Sequence, residues 1–161
     1  MILYLIRHGD ADTPAASDDD RVLSKKGIRI TEAIAKLLKE KEFDVPELII
    51  TSPLPRAEQT ARIMMEEFAP KAKFEINNGL RPGKDLESAM SIIASKKKEC
   101  EVLMLAGHDP LFSRLASVLV CGNEVAIEMK KCAVAMYELT RFEVPGMRGV
   151  LRAYLPPKIV S

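Results

Sequence analysis

Short apolar runs alternate along the chain with stretches in which apolar residues recur every three or four positions. The first run, Ile2-Leu3-Tyr4-Leu5-Ile6, is bulky on both faces and predicts a strand covered on both sides. Ser24 can then cap a helix that places Ile30, Ala33, Ile34, Leu37 and Leu38 on one face, and "ELIIT" (47–51) reads as the next strand. Pro53 and Pro55 mark a turn into a second helix carrying Ala57, Ala61, Met64 and Phe68. "KFEIN", from residue 73, predicts a weaker edge strand, and "NNGLRPG" holds too many turn formers for regular structure. Leu86, Ala89, Met90, Ile93 and Ala94 form a helical stripe, followed by the strand "VLMLA" (102–106) and a helix from about Pro110 to Val120. "AVAMYEL" (133–139) and "VLRAYL" (150–155), joined through Pro145 and Gly146, predict a closing hairpin. This order predicts a three-layer α/β/α fold with a mostly parallel central sheet. No repeat, low-complexity tract or flexible linker interrupts it, so residues 1–161 are expected to form a single domain.

Composition narrows the functional classes. A chain of 161 residues with 47% hydrophobic content can bury a core without staples. Its 24 Lys and Arg against 23 Asp and Glu leave a formal charge of +1, so no global field draws it to nucleic acid or membrane, and neither is expected as a partner. Cys100, Cys121 and Cys132 lack a CxxC spacing, which predicts reduced thiols rather than a disulfide framework or a zinc site. The apolar start is too short for a signal-peptide core and no run approaches a membrane span, so a cytoplasmic protein is expected. The methionines at positions 64, 65, 90, 104 and 136 read mostly as core filler, and the charge runs "SDDDR" (17–21) and "SKKKE" (95–99) as solvated surface.

Polar residues gather at predicted strand ends. The first strand ends in Arg7-His8-Gly9, the second in Thr51-Ser52 with Arg56 one turn on, and the fourth in Gly107-His108-Asp109. In open α/β sheets ligands bind outside the carboxyl ends of strands. One histidine there would usually be a hydrogen-bonded structural residue. Both of the chain's histidines, each beside a glycine and matched by arginines, predict an anion pocket instead. Asp10, Asp12 and Asp109 could complete a metal site with them, but neighbouring guanidinium groups would repel a cation, so no metal or other cofactor is expected.

The motifs "LIRHG", "SPLPRAEQTA" and "GHDP", in that order, resemble those of the histidine phosphatase superfamily, with its phosphoglycerate mutase-like fold. With "ASDDDRVLSKKG" and "GLRPG" in so short a chain, the resemblance is strongest to the SixA-type phosphohistidine phosphatases. It runs from the first strand to the helix after His108, with little support beyond about residue 121. The resemblance implies a hydrolase in which His8 is the nucleophile, Arg7 and Arg56 hold phosphate oxygens, and His108 completes the pocket. It also implies a supporting phosphate or substrate contact for Arg21; Ser52 is a further candidate, and Gly9 would leave room for substrate and let the backbone turn.

Such chemistry needs a neutral His8 with one ring N–H held while the other nitrogen faces phosphorus. A leaving alkoxide also needs a proton. Between Arg56 and His108 the chain offers Glu75, Asp85 and Glu87, none marked by a motif, and Asp18, Asp19 or Asp20 could swing in. Phosphohistidine would expel neutral imidazole and need no such acid. The expected substrate is therefore a phosphorylated protein, for example a histidine-containing phosphotransfer domain, reached through an open site. The alternatives are a general small-molecule phosphomonoesterase and a non-catalytic phosphoprotein-binding module.

Overall fold

The computed structural model describes residues 1–13, 16–124 and 127–161. Its strands are β1 (Ile2–Arg7), β2 (Leu48–Thr51), β3 (Lys73–Ile76), β4 (Val102–Gly107), β5 (Val134–Arg141) and β6 (Arg148–Leu155). Its helices are α1 (Lys25–Glu40), α2 (Pro55–Glu67), α3 (Leu86–Lys96) and α4 (Leu111–Cys121). The strands form one sheet in the order β3-β2-β4-β1-β5-β6. Pairings among β3, β2, β4 and β1 are parallel, and the β5–β6 hairpin adds antiparallel strands beside β1. This is the mixed α/β arrangement, parallel but for a closing hairpin, that the alternating pattern predicts.

The unbroken apolar run of β1 has a direct cause: both faces of the strand are covered. Leu3 and Leu5 pack with Met90, Ile93, Leu115 and Leu119 of α3 and α4 on one side. Tyr4 and Ile6 pack with Ile34, Leu38, Ala61 and Met64 of α1 and α2 on the other. Each such side chain, fully buried, stabilises the fold by roughly 1.5–3 kcal/mol before entropy is counted. Met64, Met90 and Met104 are buried in these cores, whereas Met65 and Met136 sit at their margins. Among the described residues no helix is long and apolar enough to cross a membrane.

Helix starts follow from local chemistry. The Ser24 hydroxyl accepts the Gly27 N–H and Asp85 accepts the Ser88 N–H, each satisfying a first-turn donor. Pro55, in the first turn of α2, has no N–H to leave unpaired.

Register carries the polar strand ends together. Arg7 lies opposite Gly107, and Thr51 opposite Ala106. The His8 N–H donates to the Gly107 carbonyl at 2.9 Å and the Ser52 N–H to that of Ala106 at 3.0 Å. Residues 7–8, 51–52 and 107–108 therefore stand side by side on one rim.

Candidate active site

His8 is 6% exposed, and its Nδ1 lies 2.7 Å from the Gly9 carbonyl oxygen. That oxygen can only accept, so Nδ1 carries the proton and the Nε2 lone pair is free. Gly9 is itself held, its N–H donating to Thr60 Oγ1 at 3.0 Å, while the Thr60 hydroxyl donates to the Arg56 carbonyl at 2.7 Å. One turn of α2 thus supports both Arg56 and the backbone that orients His8. A Cβ on Gly9 would lie 2.9 Å from Leu23 Cδ2 and 3.1 Å from Thr31 Oγ1. Gly9 packs closely against α1 and the segment before it, and it is not among the positive-φ glycines, so no left-handed turn calls for it.

His108 faces His8 with ring centroids 5.0 Å apart, and its Nε2 lies 2.8 Å from Ser52 Oγ. Ser52 accordingly orients the second imidazole. Burial, chiefly, drives the His8 pKa down to about 4, aided by Arg56, Arg7 and Lys131 and opposed by the Gly9 hydrogen bond. Burial likewise drives His108 down to about 3, with His8 and Arg56 adding to the effect. Both rings are neutral at pH 7.

The arginines approach from two elements. Arg7, ending β1, donates to Asp109 Oδ2 at 3.0 Å and to the Met129 carbonyl at 2.7 Å. Arg56, in the first turn of α2, donates to the Asp18 carbonyl at 2.5 Å and to Asp18 Oδ2 at 2.9 Å. Among the described residues, the buried side-chain polar atoms without a partner are Arg7 Nε, Arg56 Nε and His108 Nδ1. Unpaired burial of a donor is costly, and all three atoms belong to residues of this rim. An oxyanion is the ligand that would accept from the two guanidinium groups together.

Asp18 belongs to a one-turn helix, Asp18–Asp20, that the sequence reading assigned to solvated surface. Its side chain is 64% exposed, yet it bridges Arg56 and Arg21, and these cations hold its carboxyl below the usual range. Arg21 donates to the carbonyls of Ala11 and Asp12 and to Asp18 Oδ1, so it braces the segment that lies on Arg56. Of the acids considered between Arg56 and His108, Glu75 pairs with Lys96 and Asp85 caps α3. Glu87 lies with Asp85 in a separate groove bordered by Arg114 and Arg148. Thr60 carries no mark in the sequence, and the roles of Asp18 and Asp109 as partners of Arg56 and Arg7 differ from the proton-donor and metal-ligand roles considered for them. Gly27 carried a signal in "SKKG": a Cβ there would lie 2.1 Å from the Asp10 carbonyl oxygen, so α1 can seat against the loop after His8 only with glycine.

Among the described residues no group of three or more His, Cys, Asp or Glu side chains is placed to hold a metal ion.

Known proteins resemble this chain in both sequence and fold. Residues 3–83 match the model of the histidine phosphatase superfamily (branch 1). The chain is 34% identical over 127 residues to an uncharacterised protein of Picosynechococcus sp., covering 76% of this chain and 75% of that one. It is 29% identical over 141 residues to the phosphohistidine phosphatase SixA of Escherichia coli K12, covering 86% of each. The structure of the protein histidine phosphatase SixA complexed with tungstate superposes with a TM-score of 0.87 at 26% identity, covering 100% of both chains.

Proposed function

Because the chain belongs to the histidine phosphatase superfamily, we propose that this phosphatase hydrolyses phosphohistidine on protein substrates through a phosphohistidine intermediate at His8. In the first step the Nε2 lone pair of His8 attacks phosphorus as the substrate's P–N bond breaks. The substrate imidazole takes the bonding pair and, already protonated on its other nitrogen, leaves neutral. In the second step water attacks phosphorus, releasing inorganic phosphate, and Nε2 regains its electron pair. The Gly9 carbonyl keeps Nδ1 protonated throughout. The phosphorylated His8 is therefore an imidazolium, and it too departs as a neutral ring.

Arg7, Arg56 and His108 are assigned the equatorial phosphate oxygens, where charge must be stabilised in line with attack. The two guanidinium groups supply the positive charge, and the proposed reaction uses no metal ion. Ser52 acts by orienting His108, and Arg21 by bracing Asp18.

The observation that carries the choice of substrate is the pairing of the Asp18, Asp10 and Asp109 carboxylates. Asp18 is engaged by Arg56 and Arg21, Asp10 by Lys131 and Ser24, and Asp109 by Arg7. The carboxyls of Asp18 and Asp10 are both held below the usual range by these partners, so neither carries a proton at pH 7 to give an alkoxide. A phosphoramidate needs none. The free thiols of Cys100, Cys121 and Cys132 accord with action in the cytoplasm.

The test compares a phosphorylated histidine-containing phosphotransfer domain with small phosphomonoesters. The protein should be dephosphorylated faster, with acid-labile radiolabel trapped on the wild-type enzyme. His8→Ala should lower turnover about a thousandfold or more and take up no label. Full activity in that variant would overturn the mechanism, and the reverse substrate ranking would favour a small-molecule phosphomonoesterase.

A further inference from the structure

Beside Arg7 lies a groove of about 830 Å³ whose walls come from segments far apart in sequence. Lys26 enters from the first turn of α1, Lys130 and Lys131 from the segment before β5, and Lys158 from the one-turn helix Pro157–Ile159. Tyr154 of β6, Pro156 and Pro157 give it an apolar wall. Counting Arg7, five cationic side chains line it against two anionic ones, Asp10 and Glu128.

Internal pairing accounts for only part of this charge. Lys131 meets Asp10 at 2.8 Å and Lys130 meets Glu128 at 2.5 Å. Lys26 and Lys158 form no ion pair among the described residues. Lys26 also stands in a first helical turn that has no acidic residue, where the helix dipole disfavours a cation. Asp10 feels the charge of Lys26 as well as of Lys131, but two anionic side chains against five cationic ones leave the groove positive while the formal charge of the whole chain is only +1. The excess is local and shares Arg7 with the catalytic rim.

We infer that this groove docks an acidic surface of the phosphoprotein next to its phosphohistidine; the inference rests on the substrate class proposed above. Carboxylates of the partner would meet Lys26 and Lys158, while aliphatic and aromatic parts of its side chains lie on Tyr154 and the prolines. A concave, partly apolar wall suits a protruding protein element better than a flat bilayer, and the lysines form a cluster rather than the extended stripe that would follow a nucleic acid backbone.

The test uses the full chain and the variant Lys26→Glu/Lys158→Glu, with Lys26→Arg/Lys158→Arg as the charge-preserving control. Two substrates are compared: a phosphorylated histidine-containing phosphotransfer domain with acidic residues flanking its phosphohistidine, and the small ion phosphoramidate. For the protein, kcat/KM should fall about tenfold or more through KM, and its decline with added salt should flatten. For phosphoramidate it should stay within about twofold, and the arginine variant should match wild type on both. An unchanged KM for the protein, or an equal fall on both substrates, overturns the docking role. A wild type active on phosphoramidate but not on the phosphoprotein would instead overturn the substrate class, and the groove's role with it. Inhibition by anionic vesicles or single-stranded DNA that disappears in the glutamate variant would assign the groove to another polyanion and also count against it.

Discussion

At the scale of single residues, the decisive property is that two imidazoles stay uncharged beside two guanidinium groups. His8 is held at about 4 and His108 at about 3, below the ordinary value of 6.5. Above pH 6.5 neither the folded nor the unfolded chain binds these protons, and the stability associated with the neutral rings is fully present. As pH falls below 6.5 the unfolded chain takes up protons that the folded chain refuses. Stability is then lost until about pH 4 for His8 and about pH 3 for His108. Each ring contributes a slope approaching 1.4 kcal/mol per pH unit. Denaturant midpoints measured between pH 7 and 5 should fall in wild type and flatten in a His8→Gln/His108→Gln variant. These two residues were legible in the sequence because each follows an apolar run and borders a glycine. The tie between Asp18 and Arg56 was not, since three consecutive acids look alike and Arg56 stands 38 positions away.

At the scale of elements, the one-turn helix Asp18–Asp20 behaves as a strap over the anion rim. Asp18 ties it to Arg56 in α2, Asp19 to Arg81 at 2.6 Å, and Ser17 to Asp20 within the turn. The Asp19–Arg81 pair is well exposed, and its removal by Asp19→Asn should change stability by less than about 1 kcal/mol. Asp18 is different because it competes with any phosphate for the same guanidinium fork. Deleting its charge in Asp18→Asn should tighten competitive inhibition by inorganic phosphate roughly threefold to tenfold. Weaker inhibition would mean that the carboxylate chiefly positions Arg56. Helices and strands were readable from their periods, but this strap was not, because its shape comes from side chains of distant elements rather than from local propensity.

At the scale of the whole molecule, the site exists because β4 lies between β1 and β2. Periodicity identified those strands, but it carries no information about their lateral order, which is set by non-local pairing and by which helices cover which face. That order is visible only in the folded sheet, β3-β2-β4-β1-β5-β6. The position of His108 at the rim then depends on how α4 seats against β4. The Phe112 N–H donates to the His108 carbonyl at 3.0 Å, and the fully buried Phe112 ring lies where a Gly107 side chain would be, 2.6 Å from the ideal Cβ. Gly107→Ala should therefore push α4 outward, costing roughly 1–3 kcal/mol and displacing His108. Thermal unfolding and phosphatase turnover should fall together in this variant. Adding Phe112→Leu removes the clashing ring edge and should recover part of both, although Phe112→Leu alone is destabilising. Recovery by a second core substitution separates overpacking from a direct requirement for glycine at this position. Wild-type stability and turnover in Gly107→Ala would show that the seat of α4 does not fix the second imidazole.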